Sequence, residues 1–95
     1  MIIRLVKLTF IPGKEKEFLE IFNAAKNKIR NSEGCTHLEL LRDKKQSNIF
    51  FTYSCWDSDA HLNKYRGSDL FKNIWGRASA LFSEQAEAWS TEKTS

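Results

Sequence analysis

His37 and Glu39 stand two residues apart in a stretch that alternates like a strand, which puts both side chains on one face. An imidazole beside a carboxylate can move a proton. The same spacing suits a solvent-facing or subunit-interface pair, and that is the reading adopted. His61, the only other histidine, follows a helix cap on an outward-facing turn and reads as a surface residue. Cys35 and Cys55 fall on different strands with no metal or redox motif around them, so reduced, structural thiols are expected. Two isolated histidines and two separated cysteines lack ligand spacing, and no metal site is expected. No glycine-rich loop is present to cradle a nucleotide, and no cofactor is expected. Arg4 and Arg77 could stabilise an anionic ligand, although neither can act as a base at neutral pH.

These residues sit on a regular series of elements, organised around Tyr53 to Leu62, where a strand ends in Trp56 and a helix begins. Residues 1–10 alternate as a strand, with Arg4, Val6, Leu8 and Phe10 on one face and Ile3 and Leu5 on the other. Residues 13–31 carry Phe18, Phe22, Ala25 and Ile29 at helical spacing, flanked by Leu19 and Ile21. Two strands follow, 35–42 and 48–56, joined by the polar loop Asp43 to Ser47. On the first, Thr36, Leu38 and Leu40 oppose Cys35, His37, Glu39 and Leu41. On the second, Phe50, Thr52, Ser54 and Trp56 oppose Ile49, Phe51, Tyr53 and Cys55. Ser58 is a good N-cap for a short helix reaching about Arg66; Gly67 breaks it, and Ser68 caps a second piece carrying Phe71, Ile74, Trp75, Ala78, Leu81 and Phe82. Residues 84–91 form a last strand, with Ala86 and Ala88 opposite Trp89. Residues 92–95 are a polar tail. The order β-α-β-β-α-β predicts an α+β, ferredoxin-like fold: a four-stranded antiparallel sheet with its helices on one face. Ile3, Leu5, Phe51 and Tyr53 then lie on the other face, which a second sheet should cover.

Ninety-five residues are read as one domain, 1–95. An apolar share of 41%, with seven Phe and three Trp, is rich for that length and points to a ligand cavity or a subunit interface. A net charge of +3, from 15 basic and 12 acidic residues mixed along the chain, gives no basic stripe, so no nucleic-acid partner is expected. No apolar run reaches the ~18 residues of a membrane span. Met1-Ile2-Ile3-Arg4 runs straight into a strand pattern, so no signal peptide is expected and a cytoplasmic protein is.

The pieces Pro12-Gly13-Lys14, Gly34-Cys35 with Leu38-Glu39-Leu40, Trp56-Asp57-Ser58, Ala60-His61-Leu62 and Ser68-Asp69-Leu70-Phe71 occur in a familiar order and spacing. Together they resemble the antibiotic biosynthesis monooxygenase family of the dimeric α/β-barrel superfamily, over about Ile3 to Trp89. The resemblance implies a homodimer whose sheets pack face to face, with a cavity in each subunit between sheet and helices. Family members include cofactor-independent oxygenases of quinols and aromatic polyketides, and haem-degrading enzymes. Trp56 matches a tryptophan that lines that cavity, or else closes the sheet against the helix. Departures from the family pattern are as informative. Ser54 stands where the family often has Glu. Thr52 replaces an Asn that binds substrate oxygen in some oxygenases, keeping one hydrogen-bond donor. Tyr65 replaces a His, and can donate a hydrogen bond or simply pack. Trp75 and Val6 replace the iron-binding His and the Asn of haem-degrading members, and indole cannot ligate iron, so haem degradation is not expected. The resemblance thus implies a cofactor-independent monooxygenase of a small aromatic, such as a quinol. Thr52, Trp56 and Tyr65 are the catalytic candidates, with Val6, Phe71 and Trp75 contacting the substrate. No His, Asp or Glu falls at an obvious cavity position to serve as base. The competing expectation is a dimeric binding module that uses the same cavity without chemistry.

Overall fold

A computed structural model of the chain describes all 95 residues, Met1 to Ser95. β1 (Ile2–Thr9) lies at the centre of the sheet, between β3 (Ile49–Trp56) and β4 (Glu87–Thr91), and β2 (Cys35–Arg42) flanks β3. The order is β2-β3-β1-β4, with every neighbouring pair antiparallel. Register decides which side chains meet. Arg4, Val6 and Leu8 oppose Ser54, Thr52 and Phe50 on β3, while Arg4 and Val6 oppose Ser90 and Ala88 on β4. Directly opposed residues share a face, so this set forms one surface, and the helices pack on it.

α1 (Glu15–Arg30) buries Phe18, Ile21, Phe22, Ala25 and Ile29, the apolar stripe of the sequence. Glu15 and Glu17 in its first turn and Lys28 and Arg30 in its last complement the helix dipole. The helix starts after residue 13, because Gly13 takes φ +98° and its amide donates to Glu15 Oε1 at 2.6 Å. The second helical stretch is two helices, α2 (Asp59–Arg66) and α3 (Asp69–Ser79). Ser58 Oγ accepts from the His61 amide at 3.2 Å, and Ser68 Oγ accepts from the Phe71 amide at 3.1 Å. The element order is therefore β-α-β-β-α-α-β, still the ferredoxin-like α+β arrangement.

Three expectations of detail are corrected. Phe82 is not helical: Ile11 and Ser83 amides bond to Leu81 and Thr9 carbonyls, so this stretch is captured by the end of β1, where Phe82 forms an isolated bridge with Phe10. β4 begins at Glu87, three residues later than the alternation suggested. On β2 a bulge between Cys35 and His37 leaves Cys35 opposite Trp56, on the helix side, and His37 opposite Cys55. A bulge adds a residue to one strand and interrupts its two-residue period, so Cys35 leaves the face that the alternation gave it with His37, and Thr36 has no register partner on β3.

The core begins with a phenylalanine cluster. Phe10 stacks on Phe18 at 4.3 Å between centroids, and Phe50 meets both edge-on at 5.7 and 5.3 Å. Aromatic pairs of this geometry add about 0.5–1.5 kcal/mol each to the burial of their area. The opposite sheet face is unlike it. Ile3, Leu5, Phe51 and Tyr53 are only partly covered, and Leu41 and Trp89 are 43% and 47% exposed. No helix is long and apolar enough to cross a membrane.

Candidate functional site: an aromatic cavity under the helices

Between the sheet and the helices lies a cavity of about 300 Å³. Val6, Thr52 and Trp56 form its sheet-side wall, and Tyr65, Phe71 and Trp75 its helix-side wall, so all six residues singled out from sequence line one space. They come together for local reasons. Val6 and Thr52 are register partners, and Trp56 is two pleats further along the same face. The Ser58 and Ser68 caps fix where α2 and α3 begin, and hence which way Tyr65 and Phe71 point.

The aromatic residues form a continuous series. Trp56 stacks on Tyr65 (4.9 Å, 24°), Tyr65 meets Phe71 edge-on (5.3 Å), Phe71 stacks on Trp75 (5.7 Å, 15°), and Trp75 meets Phe82 edge-on (5.5 Å). Trp56 is fully buried and Trp75 is 36% exposed, so the series runs from the closed inside to the surface. The Trp56 indole N–H is satisfied by Ser54 Oγ at 2.9 Å. This explains a residue that sequence reasoning treated only as a missing Glu: Ser54 holds the indole in place.

The titratable groups lining the cavity are Arg4, Arg66 and Tyr65; no His, Asp or Glu is among them. Burial pushes the Tyr65 phenol up to about 12, with the nearby Cys35 thiol adding to the effect. At neutral pH Tyr65 is therefore a hydrogen-bond donor and a poor base. Arg4 Nη1 donates to Ser90 Oγ at 2.9 Å. Partial burial, and then the charge of Arg66, lower the Arg4 guanidinium from its ordinary value. Arg66 was missed from sequence, and nothing in its spacing signals it, because only the tertiary docking of α2 brings its last residue to the cavity that Arg4 also lines. Arg77, the candidate named instead, is exposed on α3 and does not line the cavity.

The histidines lie elsewhere. His37 pairs with Glu39 at half-exposed positions on the outer sheet face, edge-on to Tyr53 at 5.7 Å. His61 is more covered than a surface residue. Its Nδ1 lies 2.7 Å from Ser58 Oγ, and its ring covers Gly34 so closely that a Cβ there would collide with it. Cys35 and Cys55 are free thiols, and burial pushes the Cys35 thiol up. No three of the chain's His, Cys, Asp and Glu side chains converge as a metal-binding group.

Residues 1–76 match the family described as antibiotic biosynthesis monooxygenase. No curated protein matches the sequence significantly. Solved structures match closely in shape. A conserved protein from Methanosarcina mazei Go1 aligns with TM-score 0.92 and 23% identity, over 99% of this chain and 94% of that one. A protein named antibiotic biosynthesis monooxygenase aligns with TM-score 0.94 and 16% identity over the whole of both chains. A protein from Mycobacterium tuberculosis aligns with TM-score 0.90 and 14% identity, over 99% and 95%. At these identities the structural likeness speaks to the fold.

Proposed function

The chain belongs to the antibiotic biosynthesis monooxygenase family, and from that premise we propose that it is a cofactor-independent monooxygenase of a small, electron-rich aromatic such as a quinol or an anthrone. The observation that carries this reading is the aromatic-walled cavity, whose lining includes two residues with hydrogen-bond-donating hydroxyls, Thr52 and Tyr65. In such chemistry the substrate is the reductant. For an anthrone, a ring CH₂ and O₂ become a ring carbonyl and water, so one oxygen atom enters the product and the other leaves. The reacting species is the substrate anion, which passes an electron to O₂. Without a carboxylate or imidazole in the cavity, that anion forms through the substrate's own acidity, helped by the positive charge of Arg4. Trp56 and Phe71 orient the ring and exclude water, while Thr52 and Tyr65 hold the substrate oxygen. Removal of an oxyanion-stabilising donor costs about 10²–10³ in rate where it has been measured. Oxygen uptake with a panel of naphthoquinols and anthrones tests this reading. We expect one O₂ consumed per substrate, and a rate lowered at least about 10-fold in the Thr52→Ala, Tyr65→Phe double variant.

The lack of a base in the cavity favours one alternative, a dimeric binding module for the same class of molecule. Saturable binding of the panel with no oxygen uptake by any member would establish it.

We further propose that the protein is a homodimer through its outer sheet faces. Ile3, Leu5, Phe51 and Tyr53 are partly covered in the single chain, and Leu41 and Trp89, which sequence reasoning left out of this patch, extend it. Burying such side chains gains about 1.5–3 kcal/mol each, which over several residues outweighs much of the entropic cost of association.

A further inference from the structure

The two guanidiniums at the cavity have no acid to answer them. The chain's ion pairs join Lys7 to Glu87, Lys14 to Glu17, His37 to Glu39, and Glu33 to His61 and Lys64; Arg4 and Arg66 are in none of them. Both nevertheless line the same small, mainly apolar space. Arg4 reaches it from the helix-facing side of β1, with Nη1 anchored on Ser90 of β4. Arg66 reaches it from the last position of α2. The two are near enough for the charge of Arg66 to act on Arg4. A cation at the end of a helix is favoured by the dipole, and that accounts for Arg66 alone. It does not account for a second cation drawn from the sheet into the same apolar setting. The two like charges repel each other and Arg4 loses part of its hydration, and an anion between them would relieve both costs. The fork of a guanidinium fits a carboxylate through two parallel hydrogen bonds.

Taking the cavity as the ligand site, as proposed above, we infer that its ligand is an aromatic carboxylate: the ring lies along Trp56, Tyr65 and Phe71, and the carboxylate is held between Arg4 and Arg66. The pair selects for charge, while the aromatic walls select for shape.

The test is calorimetric titration of the full chain with 1-naphthoate and with its neutral isostere 1-naphthamide. Charged hydrogen bonds are worth enough for the acid to bind at least about 10-fold more tightly than the amide. That preference should shrink as salt rises. It should fall below about 3-fold in Arg66→Gln, with the amide's affinity unchanged, and survive in part in Arg66→Lys. Phe71→Ala should weaken acid and amide alike, which separates ring from charge. Arg66 is exposed at a helix end, so its replacement should leave the fold intact and decides the matter even if Arg4→Gln does not fold. Equal binding of acid and amide, or a preference untouched by Arg66→Gln, would overturn the carboxylate assignment and leave the cavity reading standing. Binding of neither compound would overturn both.

Discussion

Tyr65 has the Trp56 indole against one face and the edge of Phe71 nearby, and this enclosure governs its protonation. Its phenol is raised to about 12 in the fold, against about 10 in an unfolded chain. Neutral phenol is thus favoured by folding. The associated stability is complete below pH ~10 and is lost as pH rises towards ~12, because the unfolded chain releases the proton first. A shift of this size corresponds to about 2–3 kcal/mol. Urea unfolding of the wild type should show this loss across that range, and Tyr65→Phe should be markedly flatter; parallel profiles would mean that the phenol is not enclosed. Ser54 makes a second case. Ser54→Ala strands the buried Trp56 N–H and should cost about 1–3 kcal/mol. Because the penalty belongs to the N–H, Ser54→Ala should cost much less in a Trp56→Phe background, which a double-mutant cycle of unfolding free energies would reveal.

Gly34 joins α1 to β2 and carries three constraints at once. Its φ of +81° suits glycine, its carbonyl accepts from the Asp57 amide at 2.8 Å, and His61 covers its α-carbon. Gly34→Ala therefore meets both backbone strain and a collision, and we expect a loss of about 1–3 kcal/mol or more in thermal or urea unfolding. His61→Ala should relieve only part of the collision, because the β-carbon it keeps also stands too close to the new methyl, and His61→Gly should relieve the rest. The capping serines show how far such positions can be read from sequence. Ser58 and Ser68 announce helix starts through their own chemistry, which acts within three residues, and both are found where the sequence places them. The strand faces were equally legible, since a two-residue period needs no tertiary knowledge. Where that period is interrupted, at the Cys35 bulge, or where another strand end captures a segment, as at Phe82, local pattern does not suffice. The same divide runs through the site. Alternation puts Val6 on one face of its strand and Thr52 with Trp56 on one face of theirs, and the family resemblance implies their place in a cavity, whereas Arg66 depends on the angle at which α2 docks.

The sheet as a whole presents two unlike surfaces: one covered by three helices around a cavity, the other only partly covered, with Ile3, Leu5, Leu41, Phe51, Tyr53 and Trp89 set among Lys7, His37, Glu39 and Glu87. If two copies associate through the second, a carboxylate in place of Phe51 should be costly, because it would lose its hydration in the contact beside Leu41 even with Lys7 opposite it on β1. Phe51→Glu should leave the wild-type dimer unformed and the chain unfolded or aggregated. Sedimentation at low micromolar concentration checks the parent state, and a well-folded wild-type monomer there would remove the face-to-face assignment.

The placement of the three tryptophans also makes the molecule its own optical instrument. Trp56 is sealed inside, Trp75 sits where the aromatic series reaches the surface, and Trp89 lies on β4 opposite Leu5. Each one therefore watches a different event. A dissolved collisional quencher should reach Trp75 and spare Trp56, and should reach Trp89 only where the chains are unpaired. Occupation of the cavity should alter emission from Trp56 and Trp75 while leaving Trp89 unmoved, and pairing of two chains should shift Trp89 to the blue and leave the other two as they were. With Trp89→Phe and Trp75→Phe as references, filling of the cavity and assembly of the dimer can be followed separately in one sample, without an added label.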